Sequence, residues 1–195
     1  MKKYLLIACL LINNSVSSEV IEWPRYGGGL NQNRYVNDAS INTGNVTRLK
    51  LKWLFQTGIV GSFENTPIVK DGVMYITTPY NHLYALNART GERLWRYKHK
   101  KLGTTIYCCG PNSKGAAIAG NLVIMATLDA MLVAIDKNTG ELIWETTIAD
   151  SEQGYSETGA PIIYQDKIII GVAGGGNAQI NAPRGGTVAV FTLEK

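Results

Sequence analysis

A chain of 195 residues with 45% hydrophobic and 17% charged residues carries enough apolar material for a folded core, which excludes a disordered tail or linker. The net charge of +4 is spread along the sequence, with no basic stripe interleaved with aromatics, so nothing marks a nucleic-acid partner. No apolar run approaches the ~20 residues needed to span a bilayer.

The first predicted element is a targeting segment. Lys2 and Lys3 precede an apolar run from Tyr4 to Ile12, and the small residues Val16-Ser-Ser18 suit a signal peptidase, so residues 1–18 read as a cleaved secretory signal. A second reading takes Leu6-Ile-Ala-Cys9 as a lipoprotein box, although only eight residues precede that cysteine. Export through such a signal implies an oxidising, periplasmic destination.

A short helical piece is expected near Ile41 to Leu49, capped by Asn42 or Thr43. Strands then follow in close succession between Gly, Pro, Asn and Asp. The first set is Leu51 to Gln56, Pro67 to Lys70, Val73 to Thr77, Leu83 to Leu86 and Arg93 to Tyr97. The second is Ala116 to Ala119, Leu122 to Thr127, Leu132 to Ile135 and Leu142 to Ile148. A third comprises Pro161 to Tyr164, Lys167 to Val172 and Thr187 to Leu193. Asp71-Gly72 and Gly120-Asn121 are hairpin signals between them.

Within these sets one phrase occurs twice. Ala85-Leu-Asn-Ala-Arg-Thr-Gly-Glu-Arg-Leu-Trp95 returns as Ala134-Ile-Asp-Lys-Asn-Thr-Gly-Glu-Leu-Ile-Trp144, 49 residues later. A period of this size belongs to a propeller or solenoid. In each copy an apolar pair ends a strand, Asn87 or Asp136 opens a turn, Thr-Gly reverses the chain, and Trp95 or Trp144 is carried inward on the next strand. One large buried indole per repeat docks one blade against the next. The sequence therefore predicts an all-β chain, a partial β-propeller of four-stranded antiparallel blades with tryptophan-docking motifs, about three blades in all.

The repeated phrase resembles the tryptophan-docking motif of the quinoprotein dehydrogenases, alcohol dehydrogenases that carry pyrroloquinoline quinone (PQQ) in an eight-bladed propeller. Further segments resemble the family in its own order: Trp23-Pro-Arg-Tyr-Gly27 with Asn33-Arg34-Tyr35, Phe63-Glu-Asn-Thr-Pro67, Tyr107-Cys-Cys-Gly-Pro-Asn112 and Gly154-Tyr-Ser-Glu-Thr158. On this resemblance residues 19–195 form a partial quinoprotein β-propeller. Its family activity is oxidation of a primary alcohol, with electrons passed to cytochrome c or a quinone. Closure of the ring would require a second polypeptide or oligomer.

The resemblance also implies site residues. Cys108 and Cys109, the two cysteines left after signal removal, correspond to a vicinal disulfide lying against the quinone plane. By geometry alone such a bond would be strained, because adjacent Cα atoms are about 3.8 Å apart. Glu64 matches a glutamate that hydrogen-bonds PQQ, and Thr158 a threonine whose hydroxyl contacts it. Lys114 stands where the family carries an arginine, keeping the charge and losing the planar fork. Ala173-Gly174-Gly175 aligns with a Ser-Gly-Ala turn against PQQ and lacks the serine hydroxyl. At the next position the family places a calcium-binding glutamate, and Gly176 occupies it here. No residue matches the family's catalytic Asp, its stacking Trp or its other metal ligand, so the chain is expected to be incomplete as a catalyst.

The other titratable groups suggest structure. His82 and His99 form no ligand set, and the Arg96, Lys98-His-Lys-Lys101 cluster reads as a solvated blade edge. No Cys-x-x-Cys-His attaches a haem, no nucleophile elbow supports a hydrolase, and the glycines at 174–176 open no helix for a dinucleotide. The glycine-rich tail and Thr187–Leu193 admit two readings: a closing strand joined by an internal deletion, or a divergent third blade. A noncatalytic propeller module that binds proteins in the cell envelope is the alternative function.

Overall fold

The computed structural model describes residues 21–38, 40–100, 110–173 and 187–192. Cys108, Cys109, Gly174, Gly175, Gly176 and the signal segment lie outside these described residues. Blade 1 contains β1 (Ile68–Lys70), β2 (Val73–Thr78), β3 (His82–Asn87) and β4 (Arg93–Lys98), and blade 2 contains β5 (Ala117–Ala119), β6 (Leu122–Ala126), β7 (Met131–Asp136) and β8 (Leu142–Thr147). Each is an antiparallel meander in chain order. A third sheet holds β9 (Ile162–Tyr164), β10 (Lys167–Val172) and β11 (Thr187–Thr192), in the order β11-β10-β9. β11 thus takes the third place beside β10, as β3 does beside β2.

The repeated phrase builds the same object twice. Asn87 Oδ1 accepts from the amides of Arg89 and Thr90 at 2.9 and 3.2 Å, and Asp136 Oδ1 from those of Asn138 and Thr139 at 2.8 and 2.9 Å. Gly91 and Gly140 then close the reversals at φ +76° and +78°, a region that glycine occupies without a Cβ penalty. Immediately after each turn the register slips by one residue, between Ala85 and Leu86 and again between Ala134 and Ile135. The extra residues, Leu94 and Ile143, lie in the outer strands and are exposed. The bulge adds twist, and the following Trp returns to the inner face.

Blade docking follows from these turns. Trp95 lies over Gly140, where an added Cβ would come within 2.7 Å of the indole ring, and its Nε1 donates to Lys137 O at 3.0 Å. Tyr75 Oη donates to the same carbonyl at 3.2 Å. Beneath this contact Ile68, Leu83, Ala85, Val123, Met125 and Val133 form a continuous buried layer. The opposite face of blade 2, through Ile124, Ala126 and Leu132, packs on Ile170 of the third sheet. Blade 2 is covered on both faces, which explains the unbroken apolar run of β6.

Two expectations are corrected. Residues 51–56 are not in a sheet strand; Trp53 instead docks on blade 1, with Nε1 donating to Ala88 O at 3.2 Å and its ring over Gly91. This is a third docking tryptophan, 42 residues before Trp95. The piece near Ile41 to Leu49 shrinks to a 3-10 turn, Val46–Arg48, with Asn45 at its N-cap. Asn42 Oδ1 is taken by the Gly44 amide at 2.9 Å in a local turn, which competes with a longer helix. By register, the acceptor that Trp144 would use falls at residue 193, outside the described residues.

Candidate functional site

The entries to β1, β5 and β9 and the β2–β3 and β6–β7 turns share one end of the blades, and there three successive entry segments are tied together. Thr66 N donates to Lys114 O at 3.1 Å, and Lys114 N donates to Thr158 O at 2.7 Å. The segments that lead into β1, β5 and β9 are thereby strung along one inner line, at positions two, three and four residues before the respective strands. Gly115, at φ +141°, permits the close passage, since a Cβ there would lie 3.2 Å from Thr66 O.

Side chains gather around this line. Asn112 Nδ2 donates to Glu64 Oε1 at 2.7 Å, joining the blade 1 entry to the loop 110–116. Asn65 Oδ1 accepts from Thr77 N and Oγ1 at 3.2 and 3.1 Å and pins the Glu64 segment to β2. Ala173 pairs with Ser156 in an isolated antiparallel bridge, two residues from Thr158. Of the residues expected from sequence, Glu64, Lys114, Thr158 and Ala173 are therefore on one face. Asn112, a residue to which the sequence assigns no role, is buried and orders Glu64.

Glu157 adds a buried carboxyl next to this line. Its Oε1 accepts from Gly159 N, while among the described residues Oε2 and the buried Ser113 Oγ have no hydrogen-bond partner. Burial pushes the Glu157 carboxyl above its usual range, against the amides of Gly159 and Thr158 and the charge of Lys114. Sequence placed this residue inside a motif, and only the tertiary packing reveals its environment. Among the described residues no group of three His, Cys, Asp or Glu side chains is arranged to hold a metal ion.

On the same end His82 is buried against Tyr84, near Arg96 and opposite Lys98. Burial, then the charges of Arg96 and Lys98, lower its pKa from 6.5 to about 4. The unfolded chain takes up this proton near pH 6.5 and the folded chain refuses it until about pH 4, so stability falls as pH is lowered through that window. His82→Gln is expected to remove this slope, worth on the order of 2–3 kcal/mol across the window. Urea titrations of both proteins at pH 7 and pH 4.5 check it, and parallel pH profiles would refute it.

These features define a class: a β-propeller of tryptophan-docked blades with polar groups collected at one axial end. The family model for the β-propeller domain of the PQQ glucose/ethanol/alcohol dehydrogenases matches residues 23–193. The chain is 41% identical over 153 residues to quinoprotein alcohol dehydrogenase PedH of Pseudomonas putida, covering 76% of this chain and 25% of that protein. It is also 41% identical over 144 residues to the quinoprotein ethanol dehydrogenase of Pseudomonas aeruginosa, covering 73% and 23%. A solved europium-containing methanol dehydrogenase superposes with a TM-score of 0.81 at 33% identity, over 90% of this chain and 30% of that one. The chain belongs to the PQQ β-propeller family of alcohol dehydrogenases. It spans about a quarter of the length of the curated relatives it matches.

Proposed function

We propose that this chain forms the first blades of a PQQ-dependent alcohol dehydrogenase and supplies one wall of its quinone site. The observation that carries the reading is the line Thr66–Lys114–Thr158, which brings Glu64, Asn112 and Lys114 to the axial end of the blades. Its donor set suits a flat, polycarboxylated quinone: an ammonium at Lys114, a hydroxyl at Thr158 and the amide of Asn112.

When bound, the quinone supplies the hydride acceptor for oxidation of an alcohol. The residues of this chain bind and orient it. Lys114 offsets carboxylate charge, the Asn112–Glu64 pair fixes the edge of the loop, and Cys108 and Cys109 join the proposed site on the family resemblance alone. Ala173, Gly174 and Gly175 are counted with the proposed site on the same resemblance. The base that accepts the hydroxyl proton and the ligands of a calcium or lanthanide ion come from the rest of the ring, since position 176 is glycine and brings no side-chain oxygen. Primary alcohols as substrates, cytochrome c or a quinone as electron acceptor, and a periplasmic location reached through residues 1–18 complete the proposal.

Lys114 gives the direct test. Lys114→Gln is expected to weaken PQQ binding about tenfold or more, the scale of one charge-assisted hydrogen bond, and Lys114→Arg to hold or tighten it through the planar fork. Fluorescence titration with PQQ reads both. Equal affinity in all three proteins would remove Lys114 from the site.

A further inference from the structure

Four polar side chains at the joint between blades 1 and 2 have no part in the quinone reading. Tyr97 Oη lies 3.2 Å from His99 Nδ1, His99 Nε2 lies 3.0 Å from Asp129 Oδ2, and Thr127 Oγ1 donates to Asp129 Oδ1 at 2.6 Å. His99 and Asp129 are 2% and 7% exposed, so the basic cluster read from sequence as a solvated edge hides a buried histidine. A carboxylate only accepts, which puts a hydrogen on His99 Nε2 and, in the neutral ring, leaves Nδ1 to accept from Tyr97. Burial pushes the Asp129 carboxyl up, but hydrogen bonds from His99 and Thr127 outweigh it and hold the group below its usual range.

The relay connects to the site face through one turn. His99 N donates to Asn81 O at 3.1 Å, and Asn81 Oδ1 accepts from Leu128 N, the neighbour of Asp129, at 3.0 Å. Tyr80 N then donates to Pro111 O at 3.0 Å, at the start of the loop that carries Asn112 and Lys114. Tyr80 and Asn81 stand at φ +63° and +58°. Tyrosine disfavours that conformation, so the turn is held by its partners rather than by its own preference.

The next joint provides an internal comparison. Ile148 and Ala130 lie 49 residues after His99 and Asn81, and Ile148 N donates to Ala130 O at 2.8 Å, repeating the backbone bond. There the pair is apolar, so the fold makes this joint without a polar relay. Among the described residues the relay occurs at the joint that borders the loop 110–116.

We infer that His99 is a positioning residue for the loop 110–116: with Tyr97, Asp129 and Thr127 it locks the β6–β7 turn onto the β2–β3 turn, and that turn sets Pro111, Asn112 and Lys114. The consequence for ligand rests on the quinone reading, whereas the mechanical coupling does not. Backbone amide hydrogen exchange on the full chain tests the coupling. Asp129→Asn is expected to speed exchange at Asn112, Ser113 and Lys114 about tenfold while the strand amides of both blades keep their protection. If the strands loosen too, Thr127→Val, which at nearly constant volume deletes the hydrogen bond to Asp129 together with those between Oγ1 and Met131, is read by the same comparison. Unchanged loop exchange in a variant whose relay is broken overturns the inference. PQQ titration of the same proteins separates the two claims. A wild-type chain that binds no PQQ defeats the quinone reading and leaves the exchange result standing. Relay variants that bind PQQ as tightly as wild type, despite a loosened loop, defeat the link from loop to ligand.

Discussion

Trp95→Ala is expected to destabilise the chain by about 3–5 kcal/mol, the cost of deleting a large buried aromatic and leaving its cavity. Trp95 is 9% exposed, packs with Tyr75 at a centroid distance of 5.8 Å, and ties blade 1 to the Lys137 carbonyl of blade 2. Its loss removes apolar contact on both sides of the joint between blades 1 and 2 and one hydrogen bond, while Tyr75 retains the carbonyl. Trp144→Ala is the matched comparison, because the same motif residue is only half-buried there. It should cost about 1–2 kcal/mol, in proportion to the smaller burial. Urea midpoints at constant m measure the difference. Equal losses at the two positions would mean that docking across the blade joint is not what Trp95 contributes.

Gly140→Ala is expected to cost about 2–4 kcal/mol, from two sources that can be separated. The residue sits at φ +78°, where a Cβ is disfavoured by about 1–2 kcal/mol, and that Cβ would meet Trp95 Cδ2 at 2.7 Å. Gly120, at φ +59° in the β5–β6 turn, has open space around its Cβ position, so Gly120→Ala carries the conformational cost alone. The steric part depends on Trp95. In the double variant Trp95→Ala, Gly140→Ala the second substitution should therefore cost little more than Gly120→Ala does, a non-additivity of about 1 kcal/mol or more. Strict additivity would show that the indole does not rest on the glycine.

The elements that were legible in sequence are those whose chemistry is local. Asn87 and Asp136 bond to amides two and three residues on, and Thr90-Gly91 and Thr139-Gly140 complete the reversals, so the turns and the strands beside them could be read directly. Trp53 escaped because its own segment lacks the Thr-Gly-x-x-x lead that marks Trp95 and Trp144. His99 escaped for a different reason. Alternation along β4 sends Arg96, Lys98 and Lys100 outward and Tyr97 and His99 inward, and a run of charges conceals that parity. At the site, the identities of Glu64, Lys114 and Thr158 came from resemblance to a family. What joins them is a pair of backbone hydrogen bonds between segments far apart in sequence, and such bonds leave no residue signature.

Titration of the signal-free chain with PQQ, following tryptophan fluorescence, tests the central claim most directly. The account predicts saturable binding that weakens when Cys108→Ser and Cys109→Ser are introduced together and again with Lys114→Gln. A chain that unfolds cooperatively in urea yet shows no saturable response to PQQ would contradict it.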